Sequence, residues 1–189
     1  RSEYRLLLRQ DNADQRLCAI GNRIGLVSDD RLARVETKYE AVRREIKRLS
    51  AHGVPPSEEL NAFLVERGTA PLTGGAPLIA LLRRPQIHYE DLRRFDRLMP
   101  GLPDEVAEQV EISVKYEGYI QRQLQEVEEL RRMESRSFPP EADYSAIQGL
   151  RLEAREKLNA VRPLNLGQAA RISGVSPADI AALMIWLER

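Results

Sequence analysis

Two stretches of this chain repeat apolar residues at three-and-four spacing for much longer than a strand runs, and they commit the fold to helices. In the first, Leu32, Val35, Tyr39, Val42, Ile46 and Leu49 form one stripe behind Ser28, a good N-cap. Gly53, Pro55 and Pro56 stop it. The second begins near Asp104 and carries Val106, Val110, Val114, Ile120, Leu124 and Val127. It is expected to run to about Ser135, ahead of Pro139 and Pro140. Each stripe needs another element to lie against, so the spacing predicts an all-α, irregular helical bundle built on two long helices.

Shorter pieces fill the gaps. Asp11 or Asn12 is placed to cap a helix carrying Ala13, Leu17 and Ile20, with Gly21 or Gly25 ending it. Leu60–Val65, Leu78–Leu82 and Tyr89–Leu98 read as further short helices, and Thr69–Pro77 as a Pro- and Gly-rich connection. The last forty or so residues form a small unit of three helices, Ile147–Leu158, Leu166–Ile172 and Pro177–Leu187. Residues 1–9 instead alternate, with Tyr4, Leu6 and Leu8 on one side and Arg5, Leu7 and Arg9 on the other. That predicts one short strand, and a lone strand needs a partner from a preceding domain. With Arg1 rather than Met in first place, it leads us to expect an excised piece of a longer protein. The expected division is a strand remnant over 1–10, a helical domain over 11–145 and a small helical unit over 146–189.

Composition supports a packed helical protein: 42% of residues are hydrophobic, 5% aromatic and 31% charged. The 29 basic and 29 acidic residues cancel, so attraction to a polyanion has to come from a local patch. Cys18 stands alone, which excludes an internal disulfide and fits a reducing compartment. No apolar run approaches the ~18–20 residues of a membrane span, and no membrane contact is expected.

No reactive constellation emerges, and neither a catalytic nor a metal site is expected. His52 and His88 are distant from each other and sit in no donor cluster, so they read as surface residues. Cys18, beside Leu17 and Ile20, reads as a small buried hydrophobe. Thr73-Gly74-Gly75 lacks the Gly-Lys-Ser/Thr of a phosphate loop and reads as a turn. The acids of the second long helix, among them Glu105, Glu108, Glu111 and Glu134, read as a solvated or partner-facing surface.

Two regions hold candidates for recognition. Near the end, Gly174-Val175-Ser176-Pro177 has the grammar of a helix-turn-helix, with Ser176 as cap and Pro177 in the first helical position. Its second helix offers Ala178, Asp179, Ala181 and Ala182 where a DNA reader would show Arg, Asn or Gln, so protein contact suits it better. At the start, Arg5, Arg9, Arg16 and Arg23 cluster about a junction. They are suited either to clamp a phosphate backbone or to pair with Glu3, Asp11 and Asp14, and the residues alone leave both open.

Three motifs then carry a resemblance across nearly the whole chain. Glu3-Tyr4-Arg5-Leu6-Leu7-Leu8-Arg9-Gln10-Asp11-Asn12-Ala13-Asp14 with Arg16-Leu17, Tyr116-Glu117-Gly118-Tyr119-Ile120 with Arg122-Gln123, and Gly167-Gln168-Ala169 with Arg171-Ile172-Ser173-Gly174-Val175 and Pro177-Ala178 resemble, in order, the glucose-inhibited division protein A family, also called MnmG. Gln10 departs from the family's frequent Glu. The resemblance implies the C-terminal part of a cytoplasmic, homodimeric FAD- and NADH-dependent enzyme. With a GTPase partner of the MnmE type and methylenetetrahydrofolate as one-carbon donor, it modifies C5 of the wobble uridine of tRNA. The flavin and nicotinamide sites would lie upstream, with no cofactor in this piece. The resemblance favours Arg5, Arg9, Arg16 and Arg23 as tRNA contacts. It makes the tail a GTPase-docking surface, with Gln168, Arg171, Asp179 and Met184 as candidates. The alternatives are a stand-alone helix-turn-helix protein and a helical adaptor.

Overall fold

The structure, a computed structural model, describes residues 4–188. Its elements run α1 (Ala13–Arg23), α2 (Asp29–Ala51), β1 (Gly53–Val54), α3 (Glu58–Glu66), β2 (Ala76–Pro77), α4 (Leu78–Leu82), a 3-10 turn (Glu90–Arg94), α5 (Asp104–Glu134), α6 (Leu152–Val161), α7 (Leu166–Ala170) and α8 (Pro177–Leu187). The two stripes became α2 and α5, and the all-α expectation holds. The chain divides into two compact units, with the boundary inside α5 between Gln121 and Arg122. That lies upstream of the 145/146 division expected from the sequence.

The first unit packs Val42 and Leu49 of α2, Leu60 and Leu64 of α3, Leu78, Ile79, Leu81 and Leu82 of α4 and Val106, Val110 and Val114 of α5 into one core. Side chains of this size each contribute roughly 1.5–3 kcal/mol when fully buried. The caps follow the sequence: Ser28 accepts from the Arg31 N–H and Ser57 from the Leu60 N–H. Asn12 occupies the N-cap of α1, but its side chain donates to the Leu7 carbonyl at 3.0 Å and accepts from Arg16 Nε at 2.9 Å.

β1 and β2 form a two-residue antiparallel ladder, Gly53 opposite Pro77 and Val54 opposite Ala76. A Cβ on Gly53 would meet the Ala76 carbonyl oxygen at 2.8 Å, so only glycine allows this approach. The strand expected over residues 1–9 is corrected for the described part. The Leu7 and Leu8 N–H groups both donate to the Tyr4 carbonyl, at 3.0 and 2.9 Å, making a turn. Residues 1–3 lie outside the described residues. Likewise Tyr89–Leu98 contracts to the 3-10 turn.

A buried polar cluster crosses the first unit. Arg48 on α2 forks onto Glu45, Nε to Oε2 at 2.8 Å and Nη2 to Oε1 at 2.7 Å, while Nη2 also reaches Asp96 at 2.6 Å. The Tyr89 hydroxyl donates to Glu45 at 2.8 Å. Glu45 is 3% exposed and Asp96 8%. The two carboxylates hold the Arg48 guanidinium above its ordinary pKa.

The second unit is cored by Phe138, Tyr144, Leu158, Leu166, Ala169 and Leu183. Its first helix starts later than expected, at Leu152 rather than Ile147. Gly149 takes φ +89, and the Arg151 N–H donates to Asp179 rather than into a helical turn. α7 approaches the end of α5 so closely that a Cβ on Gly167 would lie 3.2 Å from the Glu134 backbone nitrogen. α8 opens with a capping box: Ser176 accepts from the Asp179 N–H, and Asp179 accepts from the Ser176 N–H at 2.8 Å.

Two tests follow. Glu45→Ala strips Arg48 of its fork and Tyr89 of its acceptor, and is expected to cost about 3–5 kcal/mol in urea unfolding. The hydrogen bonds of Arg151 hold the Asp179 carboxyl well below the usual carboxylate range, against the opposing pull of burial. A depressed folded-state value means that this stabilisation is present above the unfolded carboxylate range and disappears as pH falls. The melting temperature is expected to drop between about pH 5 and pH 2, and Asp179→Asn to flatten that dependence.

Candidate nucleic-acid interface

The junction ahead of α1 is knotted by its own side chains. Arg9 Nε and Nη2 fork onto Asp11, at 2.9 and 3.0 Å, and Nη1 donates to the Leu6 carbonyl at 2.6 Å. Arg16 Nη2 donates to the Arg9 carbonyl at 3.2 Å. The Tyr39 hydroxyl of α2 donates to Asp14 at 2.7 Å, and Lys38 pairs with the same carboxylate at 2.9 Å. Gln109 of α5 reaches Asp11 at 3.4 Å. Asp11 is held below the usual carboxylate range, chiefly by its hydrogen bonds from Arg9.

This geometry splits the four arginines proposed as phosphate contacts. Arg9 through all three nitrogens and Arg16 through Nε and Nη2 bond to the turn, both half-buried, whereas Arg5 and Arg23 are exposed. Of the two roles the sequence left open for Arg9, the structure displays the ion pair with Asp11.

A larger basic surface lies on α2. Arg31, Arg34, Arg43, Arg44 and Lys47 are all exposed. Among the described residues, none of the ion pairs involves them; Arg34 Nε reaches only the Asp30 carbonyl, at 3.4 Å. The helix is mixed at its start, where Asp29, Asp30, Glu36 and Glu40 are also exposed. From Ala41 onward Arg43, Arg44, Lys47 and Arg48 face one acid, Glu45, and that acid is buried. Arg34, Lys38 and Arg44 also border a groove of about 470 Å³ whose far side is Leu102, Pro103 and Glu105. This helix face was not among the candidates read from the sequence; the Arg43-Arg44 pair and the spacing to Lys47 were the visible signal.

The tail candidates separate as well. Asp179, expected at the surface as a partner contact, is 0% exposed and is corrected to a structural residue. It caps α8 and receives Arg151 Nε and Nη2 at 3.0 and 2.7 Å. The Ser176-x-x-Asp179 spacing of a capping box was the clue in the sequence. Gln168 and Arg171 are exposed; Gln168 accepts the Leu164 N–H at 2.8 Å and Arg171 pairs with Glu134. Met184 is half-buried against the core of its unit. Gly174 takes φ +97, so the tight turn is real.

His52 and His88 are exposed and Cys18 is buried. Among the described residues no group of three or more His, Cys, Asp or Glu is placed to hold a metal ion. No helix of the described residues is long and apolar enough to cross a membrane. Thr73-Gly74-Gly75 leads into β2 and the five-residue α4, which is not the strand–turn–helix that binds a dinucleotide phosphate.

Comparison with known proteins matches two family descriptions along most of the chain. Residues 29–124 match "tRNA modifying enzyme MnmG/GidA C-terminal helical domain", and residues 126–189 match "tRNA modifying enzyme MnmG/GidA C-terminal helical bundle". Proteins named tRNA uridine 5-carboxymethylaminomethyl modification enzyme MnmG are 50% identical in Caldicellulosiruptor saccharolyticus and 51% in Geobacillus kaustophilus. In each the match covers 100% of this chain and 30% of the relative's length. Aquifex aeolicus GidA, in its form II crystal, superposes with a TM-score of 0.66 at 33% identity, over 100% of this chain and 29% of its own. The chain thus spans about 30% of the length of these relatives, and it belongs to the MnmG/GidA family, as that family's C-terminal helical region.

Proposed function

We propose that this chain is the tRNA- and partner-holding end of an enzyme that modifies C5 of the wobble uridine of tRNA. The observation that carries the reading is the half-identical alignment along all 189 residues to enzymes named for that modification. In this reading the chemistry, with FAD, NADH and methylenetetrahydrofolate, belongs to the preceding polypeptide of a homodimeric, cytoplasmic protein. The one glycine pair that resembled a phosphate loop precedes a helix too short to face a pyrophosphate, so no flavin phosphate is assigned to it. No step is therefore assigned to this chain beyond binding and positioning.

The tRNA surface we assign consists of the exposed cations of α2, Arg31, Arg34, Arg43, Arg44 and Lys47, together with Arg5 and Arg23. Arg9 and Arg16 shape the turn that presents Arg5. Polyanion binding depends on cations free to displace counterions from phosphate; all seven side chains are exposed, and Arg43, Arg44 and Lys47 lie on the most basic stretch of the helix. The GTPase partner is assigned to the tail, through Gln168, Arg171 and Met184, with Asp179 holding that surface in shape.

Measured on the full-length enzyme by filter binding, the triple variant Arg43→Glu, Arg44→Glu, Lys47→Glu is expected to weaken tRNA affinity at least tenfold. It should also reduce the slope of log K against log salt by about one for each phosphate no longer neutralised. Unchanged affinity and slope would remove α2 from the interface. Arg9→Ala should do the reverse, lowering the melting temperature while leaving tRNA affinity within about twofold; a large fall in affinity in a protein of normal stability would restore Arg9 as a phosphate clamp.

A further inference from the structure

Helix α1 has two apolar sides, and only one of them is covered. Asp14, Cys18 and Gly21, at helical spacing, face α2 and the loop before it. Asp14 takes Tyr39 and Lys38, Cys18 is 6% exposed, and a Cβ on Gly21 would meet Val27 Cγ2 at 2.7 Å. On the other side Leu17, Ile20 and Ile24, at i, i+3 and i+7, are 53%, 48% and 62% exposed. Leu26 follows at 80%, and Leu8 precedes at 56%. An isolated exposed leucine is ordinary, but a stripe of this length at helix period is a buried face without its cover. A groove of about 550 Å³ beside it, bordered by Leu17, Gly21, Leu26 and Val27, adds to the apolar surface.

We propose that this face of α1 docks onto the polypeptide that precedes the chain in the full-length enzyme. The proposal rests on the family membership and not on the tRNA assignment. The matched helical-domain description begins at residue 29, so α1 lies ahead of it, yet the alignment to the relatives includes α1. Those relatives carry the greater part of their length outside this match, and since the match is to C-terminal domains, that length comes before it. The turn entering α1 is fastened to the helix by Asn12 to the Leu7 carbonyl and Arg16 to the Arg9 carbonyl. A body attached through an entry fixed in this way is held beside the stripe at high effective concentration, which favours it over a second copy or a separate partner. α1 then belongs to two cores at once, with Cys18 in this one and Ile20 and Ile24 in the preceding one.

The test compares two equally exposed positions within one protein. Ile24→Cys and Val65→Cys, 62% and 60% exposed in this structure, are placed separately in the full-length enzyme and alkylated, and modification is followed by peptide mass spectrometry. The thiol introduced at position 24 is expected to react at least tenfold more slowly than the one at 65. Equal rates overturn the proposal. Protection that disappears on dilution assigns the face to a second copy, and protection that appears only on adding a nucleotide-loaded GTPase partner assigns it to that partner; either overturns it too. Ile24→Glu provides an independent reading, since it should lower the melting temperature of the full-length enzyme by several degrees while Val65→Glu leaves it unchanged. tRNA binding by the same proteins is scored separately, so failure of the docking inference and failure of the tRNA reading are told apart.

Discussion

The first unit depends on one cation placed between two acids. Arg48 is held by Glu45 one turn back on its own helix and by Asp96 from the distant segment that follows the 3-10 turn, and Tyr89 closes the cluster on Glu45. Charges so buried gain little over a well-packed leucine, but they are costly to separate. Such a cluster therefore acts as a register mark. α2 can slide or rotate against the 90s segment only by stripping a guanidinium of its carboxylates, and the apolar contacts of Leu49, Leu92 and Val106 are thereby kept to one arrangement.

The same logic explains how the other arginines are used. Arg9 and Arg16 near the start of the chain direct hydrogen bonds to carbonyls and to Asp11, building a turn where a loose extended segment would otherwise enter α1. The exposed ones on α2 pair with no acid among the described residues and remain in water. Sign and number alone do not distinguish the two groups; geometry does, because a guanidinium forked onto its own chain has fewer N–H donors to offer a phosphate.

Much of this was legible in the sequence, and what was not has physical reasons. α2, α5 and α8 are long or well capped, and their apolar period is unambiguous, so their ends fall within a residue or so of expectation. Paired strands of two residues have no period to detect, and β1 and β2 were invisible for that reason. The alternation over Tyr4–Arg9 did suggest a strand, but side-chain-to-carbonyl bonds from Arg9 and Asn12 offered the backbone a nearer partner. Asp179 looked like a surface acid because its cation, Arg151, stands 28 residues earlier. Of the site, the arginines could be named from the sequence, but which were free required knowing who their neighbours were.

Gly167 shows what the closing motif reports. With no side chain it lets α7 settle against the backbone of Glu134, and Ala169 beside it is 0% exposed. A single methyl group there would have to displace main chain, whereas Gln168 between them is exposed and accepts the Leu164 N–H. Gly167 and Ala169 in the short signature that marks the lineage of this tail therefore record how tightly two helices touch. Sequences that keep these two small residues while changing the ones around them can retain the same scaffold and alter the surface it presents.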